Sequence, residues 1–189
     1  MTKSKQPYPT ELNDTQWSKI RPYLPAEART GRPREHGWRM ILNGIFYLLQ
    51  SGCSWRMLPH DLPPWKTVYH YFRLWRMNGT WERLNKLIRE KVRLKFGKKR
   101  QSSATILDSQ SIKTSEGGLE CGFDAGKQVT GRKRHSLVDT LGLVVKVIVT
   151  AGNVQDRDGA KLLLKELAQQ ADTIKRLKLI WVDGSYRGA

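Results

Sequence analysis

The chain has 189 residues, 39% of them hydrophobic, enough for one good core or two small ones. Its 34 Lys and Arg against 17 Asp and Glu give a net charge of +17, which points to a polyanionic partner, with nucleic acid ahead of a membrane surface because each neutralised phosphate releases a counterion. No uncharged apolar stretch reaches about 18 residues, MTKSKQPYPTELND lacks a signal-peptide core, and Cys53, Cys121 and the four scattered histidines suit neither a disulfide framework nor a zinc site, so a soluble cytoplasmic protein with no membrane partner is expected.

The charge is uneven. Residues 1–101 carry 21 basic and 7 acidic side chains, and residues 102–189 carry 13 and 10. ELNDTQWSKIRPYLP predicts a first helix capped by Asn13, with Leu12 and Trp17 at the hydrophobic-staple positions. Trp17, Ile20 and Leu24 form its stripe, and Pro22 is expected to shorten or kink it. ARTGRPREHG is basic and rich in Gly and Pro. It reads as an arm reaching a DNA groove through Arg29, Arg32 and Arg34, or as a solvated linker; both stay open. WRMILNGIFYLLQSG carries Trp38, Ile41, Leu42, Ile45, Phe46 and Leu49 at helical spacing and stops at Gly52. Ser54 is expected to cap a short helix ending before Pro59. After HDLPP, a helix is predicted from about residue 65 to 77. Its core side is Val68, Tyr71, Phe72 and Trp75, and its opposite side is Lys66, Tyr69, His70, Arg73 and Arg76. This resembles a helix-turn-helix offering basic and polar groups to a major groove. The alternative is a solvated face, and the charge of this half favours DNA. TWERLNKLIREKVRLKFGKKRQ predicts another amphipathic helix, with Trp81, Leu84, Ile88 and Val92 inside and Arg83, Lys86, Arg89 and Arg93 outside, ending at Gly97. GKKRQSS then marks the boundary: a helical domain over 1–96, a basic linker over 97–103 and a second domain over 104–189.

Beyond the linker the period changes from 3.6 to 2. SATILDSQSIK predicts a strand with Asp108 near its end. RKRHSLVDTLGLVVKVIVTAG predicts a hairpin of strands at about 133–138 and 143–150. NVQDRDGAKLLLKELAQQA predicts a helix capped by Asp156, and LKLIWVD a fourth strand. The order strand, strand, strand, helix, strand after a helical half makes the class α+β.

Asp108 and Asp183 both close apolar strands, where an unpaired carboxylate is costly. If the first and fourth strands are parallel neighbours, the two acids share the cleft at their carboxyl ends, where open α/β sheets place ligands. Two close carboxylates call for a cation, and Mg²⁺ suits hard oxygen donors. Two such ions about 3.5–4 Å apart can activate an attacking oxygen and stabilise a leaving one in phosphoryl transfer. Asp139 reads as a turn residue, and Asp156 and Asp158 as helix-start acids. The loop GFDAGKQVTGRKRH carries Lys127, Arg132, Lys133, Arg134 and His135, which could grip a phosphate backbone or lie solvated.

LNDTQWSKIRPYLP, GRPREHGWRMILNGIFYLLQSGCSWRMLP, TVYHYFRLW, ILDSQSIK, DAGKQVTGRKRHSLVDTLG, AGNVQDRDGA and WVDGSYRG together resemble the DDE transposases of bacterial insertion sequences, in the group named for insertion sequence five. The resemblance spans nearly the whole chain. It implies a helical DNA-binding region and a ribonuclease H-like core. It also implies two Mg²⁺ ions in the complete enzyme, and cutting and joining of double-stranded DNA at terminal inverted repeats and target. Asp108 matches the first catalytic carboxylate and Asp183 the second. The third, a glutamate on a later helix, has no counterpart, since Glu166 precedes the fourth strand. The expectation is an incomplete core: an N-terminal portion that binds DNA as a homo-oligomer and does not cut it alone. The other expectations are a non-catalytic DNA-binding regulator, or one product of a split gene completed by frameshifting or by a second chain supplying the missing part.

Overall fold

A computed structural model describes residues 6–26, 33–114, 121–169 and 174–186. The expected arm residues Arg29 and Arg32 lie outside them. The chain divides into two compact units, 1–84 and 85–189.

The first unit is helical. α1 (Asp14–Ile20) begins with the expected cap: Asn13 accepts from the Gln16 amide, and Gln16 reaches back to the Asn13 amide. Pro22 ends it by converting the chain to a 3-10 turn, Arg21–Tyr23. α2 (Trp38–Ser51) stops at Gly52, whose φ of 66° is a left-handed conformation that favours glycine. Trp55–Met57 is a 3-10 turn, and the Ser54 hydroxyl does not cap it, contrary to expectation. α3 (Trp65–Met77) buries Val68 and Trp75. α2 and α3 approach closely because Gly44 has no side chain; a Cβ there would meet Val68 at 3.0 Å. Ile41, Ile45, Leu58, Leu62 and Val68 form one core, and Leu12, Leu42 and Trp75 another, roofed by Trp17, Trp38 and Trp81. Polar clamps tie α1 to α2: the Leu12 amide donates to buried Asn43, and Arg39 donates to the Leu12 carbonyl and to Asp14.

α4 (Thr80–Lys95) runs across the division between the units. Its later turns depart from the expected stripe. Ile88 is exposed, while Arg89 and Arg93 are buried. Arg89 donates to the Val144 carbonyl at 2.8 Å, and Arg93 pairs with Asp139 at 2.5 Å. The expectation that both arginines face water is thus corrected: the helix packs on a turn whose polar groups need donors.

The second unit is built on a five-stranded sheet. β1 (Ala104–Lys113) pairs antiparallel with β3 (Val129–Asp139) and parallel with β5 (Leu179–Trp181). β3 pairs antiparallel with both β2 (Gly122–Asp124) and β4 (Val144–Ala151). The antiparallel order of the first strands and the parallel last strand beside β1 match expectation. β2 departs from it: the segment that reads as a loop is the strand pair β2–β3, turned through Gln128 at φ 56°. One sheet face carries Leu107 and Leu137 and is covered by α5 (Asp156–Ala168) through Ala160, Leu163 and Leu167. Gly159 permits that approach, since a Cβ there would strike the His135 ring. No helix among the described residues is long and apolar enough to cross a membrane.

Asp139 also accepts from the Leu141 and Leu143 amides, so Arg93 is one of three donors to a fully buried carboxylate. Replacing Arg93 by Met is expected to cost about 3–5 kcal/mol in urea unfolding, and adding Asp139→Asn to return part of it, because an amide oxygen still serves the turn.

Candidate active site

Strand alternation sorts the acids and bases of the second unit onto two faces. On β1, Thr105, Leu107 and Ser109 are buried while Ile106, Asp108 and Gln110 are exposed. Asp108 lies mid-strand rather than near the end as expected; only the buried apolar stretch ends there. The β1–β5 ladder closes at Ile106 opposite Trp181. Asp108 and Asp183 each lie two residues beyond that last pair, Asp108 still within β1 and Asp183 exposed past the end of β5. Ladder pairs across to β3 add Ser136 opposite Asp108, Arg134 opposite Gln110 and Arg132 opposite Ile112. Arg132 and Arg134 are exposed, and Arg134 donates to Gln110 at 2.5 Å. The exposed face of β1 and β3 therefore carries Asp108 beside Arg132 and Arg134.

The inner face at the same end carries a buried ionic cluster that the sequence pattern did not suggest. Lys133 lies between Asp124, at 3.0 Å, and Asp156, at 2.9 Å, and also donates to the Val154 carbonyl. Asp124 accepts from Ser111 and from the Gly126 and Lys127 amides. Lys127 donates to the Ser109 carbonyl and hydroxyl at 3.0 and 3.2 Å. His135 is fully buried, with Nε2 3.0 Å from the Thr150 hydroxyl. Asp156 is the first helical residue of α5, not its cap; Gln155 holds the cap position and the Asp156 carboxylate turns inward.

The electrostatics arise from these contacts. The Ser111 hydrogen bond, with the Lys133 bond behind it, holds the Asp124 carboxyl down at about 2 against the upward push of burial. Burial alone pushes the Lys133 ammonium down, but its bonds to Asp156 and Asp124 outweigh this and the net shift is upward. Burial pushes the Asp156 carboxyl up, and the Lys133 and Ser109 bonds overcome it, leaving it lowered. Burial depresses the His135 imidazole. Burial also pushes the Tyr186 phenol up to about 12, against Ser109 and with Asp156, Asp108 and Asp183 adding to it. Tyr186, too, carried no signal in the sequence pattern.

Of the basic residues expected at DNA, Lys127, Arg132 and Arg134 stand exposed in the second unit. Lys133 and His135 are 4% and 0% exposed, which removes them from the phosphate-gripping set. The signal was present: in GRKRHSLVD the odd positions Gly131, Lys133, His135, Leu137 and Asp139 alternate with the even ones, and Leu137 marks the odd face as the core. In the first unit, Lys66, Tyr69, His70, Arg73 and Arg76 are all exposed on α3, and Arg34 stacks 3.6 Å over the Trp38 ring.

Asp108 on β1 and Asp183 just past β5 are exposed hard oxygen donors on or beyond two paired strands, a chemistry that suits a divalent ion as part of its shell. Among the described residues no group of three or more His, Cys, Asp or Glu is arranged to hold a metal.

Residues 12–85 match a family described as "Putative transposase of IS4/5 family", and residues 99–189 match one described as "Transposase DDE domain". The chain is 31% identical over 118 residues to the insertion element IS402 uncharacterized 16.2 kDa protein of Burkholderia cepacia, covering 59% of this chain and 78% of that protein. It is 32% identical over 64 residues to the uncharacterized protein y4sN of Sinorhizobium fredii, covering 34% of this chain and 51% of that one. No solved structure matches.

Because the folded Asp124 carboxyl titrates near 2 against an ordinary value near 4, its contribution to stability is full above about pH 4 and is lost as pH falls toward 2. Asp124→Asn is expected to lower the melting temperature at neutral pH and to flatten the acid limb between about pH 4 and 2 in calorimetry. An unchanged acid limb would assign that limb to other carboxylates.

Proposed function

The chain belongs to the DDE transposases of insertion sequences, in the IS4/5 family, and on that footing we propose that it grips the ends of its element and supplies Asp108 and Asp183 to a Mg²⁺-dependent DNA cleavage and strand-transfer site. What supports this reading is the parallel pairing of β1 with β5, the strands that carry Asp108 and lead to Asp183, with Arg132 and Arg134 exposed on the neighbouring β3. Transposases of the DDE class generally use divalent metal ions. A bound ion would hold and polarise phosphodiester oxygens, with Asp108 and Asp183 among its ligands. Arg132 and Arg134 would neutralise the backbone that passes over them, while Lys127 is turned inward to Ser109 and Asp156. The helical residues 1–96 form the DNA-binding part, with 104–189 as the ribonuclease H-like part and a basic linker between.

In the first unit, α3 presents Lys66, Tyr69, His70, Arg73 and Arg76 to the duplex in the manner of a helix-turn-helix, and Arg34 adds a cation from the side. The paired ends of an element imply at least two copies on DNA, in the cytoplasm where bacterial DNA lies. A second chain could complete the catalytic set. A non-catalytic regulator would keep the helical contacts and have no use for the carboxylates. Asp108→Asn separates the two, because it removes transposition in the first reading and changes nothing in the second.

The 189-residue chain is expected to shift a duplex carrying the terminal repeat without cutting it when Mg²⁺ is added. Nicking by the purified chain would overturn the two-carboxylate reading of its site. The logarithm of the binding constant should fall linearly with the logarithm of salt concentration. Arg73→Ala and Arg76→Ala should each reduce that slope by about one if they meet phosphates. An unchanged slope would take α3 off the DNA.

A further inference from the structure

Arg56 stands at the centre of the 3-10 turn Trp55–Met57, between α2 and α3. Residues three apart eclipse in such a turn, so Trp55 and Leu58 share one side and Arg56 and Met57 are left on the other. The contacts agree. Leu58 is buried with Ile41, Ile45, Leu62 and Val68, and Trp55 packs against the same core. Trp55 also meets α3 directly: its ring lies 5.0 Å from that of Tyr69, edge to face, and 5.4 Å from that of Phe72. Leu62, whose amide donates to the Pro59 carbonyl at 3.1 Å, anchors the rest of the connection in the core. The turn is therefore seated on α3 along the flank that carries Tyr69. Tyr69 is exposed, as are Lys66, His70, Arg73 and Arg76 on the same helix. Arg56, one residue from the ring that touches Tyr69, is exposed and makes neither a hydrogen bond nor an ion pair among the described residues. Arg39, Arg89 and Arg93, by contrast, are each engaged by a carbonyl or a carboxylate. Met57 is 71% exposed.

We propose that the turn Trp55–Met57 is a second element of the duplex-binding surface, with Arg56 meeting a backbone phosphate, Met57 lying on the sugars beside it, and Trp55 positioning both. This rests on the reading of α3 as the helix that faces the duplex. In a helix-turn-helix, the element ahead of the recognition helix crosses the backbone. Phosphate contacts of that kind set the register and orientation of the protein on the duplex and carry no base information. Here the element ahead of α3 is a single turn, and an unengaged guanidinium held at a fixed place beside the helix supplies the same constraint. The unbranched Met57 side chain adapts to an irregular surface without needing a polar partner.

The test uses the 189-residue chain and a duplex carrying the terminal repeat. Arg56→Ala is expected to reduce the salt slope by about one and Arg56→Lys to restore it, because the slope counts neutralised phosphates. Met57→Ala should weaken binding at an unchanged slope. Lys19→Ala removes an exposed cation from α1 and should leave the slope alone. All four variants change exposed side chains and should keep the wild-type melting temperature. A photoreactive p-benzoylphenylalanine in place of Met57 should capture the duplex, as should one in place of Arg73. An unchanged slope in Arg56→Ala, or an equal loss in Lys19→Ala, would overturn the proposal. So would capture of the duplex from position 73 and not from position 57, or capture of a second copy of the chain from 57 in place of DNA. Capture from neither position, with unchanged slopes in Arg73→Ala and Arg76→Ala, would instead overturn the reading of α3 on which it rests.

Discussion

The second unit depends on one enclosed cation. Lys133 sits between Asp124 and Asp156, which come from β2 and from the start of α5, while Lys133 itself belongs to β3. Burying a charge costs several kcal/mol unless partners replace its water, and here three carbonyl or carboxylate oxygens do so. The same contacts decide where three elements lie. β2 is only three residues long and would be marginal as a free strand. Its last residue, Asp124, is held by Lys133, Ser111 and two turn amides. α5 is drawn over the sheet at its first turn, where Gly159 clears the His135 ring. The apolar cluster of Leu137, Ala160, Leu163 and Leu167 then seals the rest of the helix.

This arrangement divides the chemistry between two faces of β1 and β3. Lys133, Asp124 and Asp156 lie inside, and Asp108, Arg132 and Arg134 lie on the solvent-exposed side. The division is forced by a side-chain period of two: once Leu107 and Leu137 face α5, Asp108, Arg134 and Arg132 must face the other way. The open face thus gains acids beside guanidiniums without any of them being buried. Inside, Asp124 and Asp156 are paired with Lys133, and Lys127 lies 3.8 Å from Asp156. The Arg93–Asp139 pair performs the corresponding service at the far end of β3, where it satisfies a turn and α4 together.

Much of this is legible in the sequence. The helix at residues 38–51, the helix at 65–77 and the strand parallel to β1 all emerge from apolar spacing and strand order. The failures share a physical cause. A cation in a polar segment reads as solvated, which puts Lys133, His135, Arg89 and Arg93 outside. Periodicity contradicts that for Lys133 and His135, because they share a parity with Leu137. For Arg89 and Arg93 no local pattern suffices. Their burial depends on the Val144 carbonyl and the Asp139 carboxylate, which lie 55 and 46 residues away in sequence. β2 escapes for a similar reason: three residues show no period, and its partners Gly131, Thr130 and Val129 define it.

The same reasoning explains why the two exposed carboxylates are not equivalent. Hydrogen bonds of the sheet fix Asp108 wherever β1 goes, so its position is inherited from the fold. Asp183 lies past the last ladder pair, in a segment with a Gly-Ser step, and inherits nothing from the ladder. Tyr186, three residues on, buries its ring in the core under β1. Sequence spacing shows an aspartate and, three residues on, a tyrosine. Only the fold shows that the tyrosine reaches beneath the strand that carries the other aspartate.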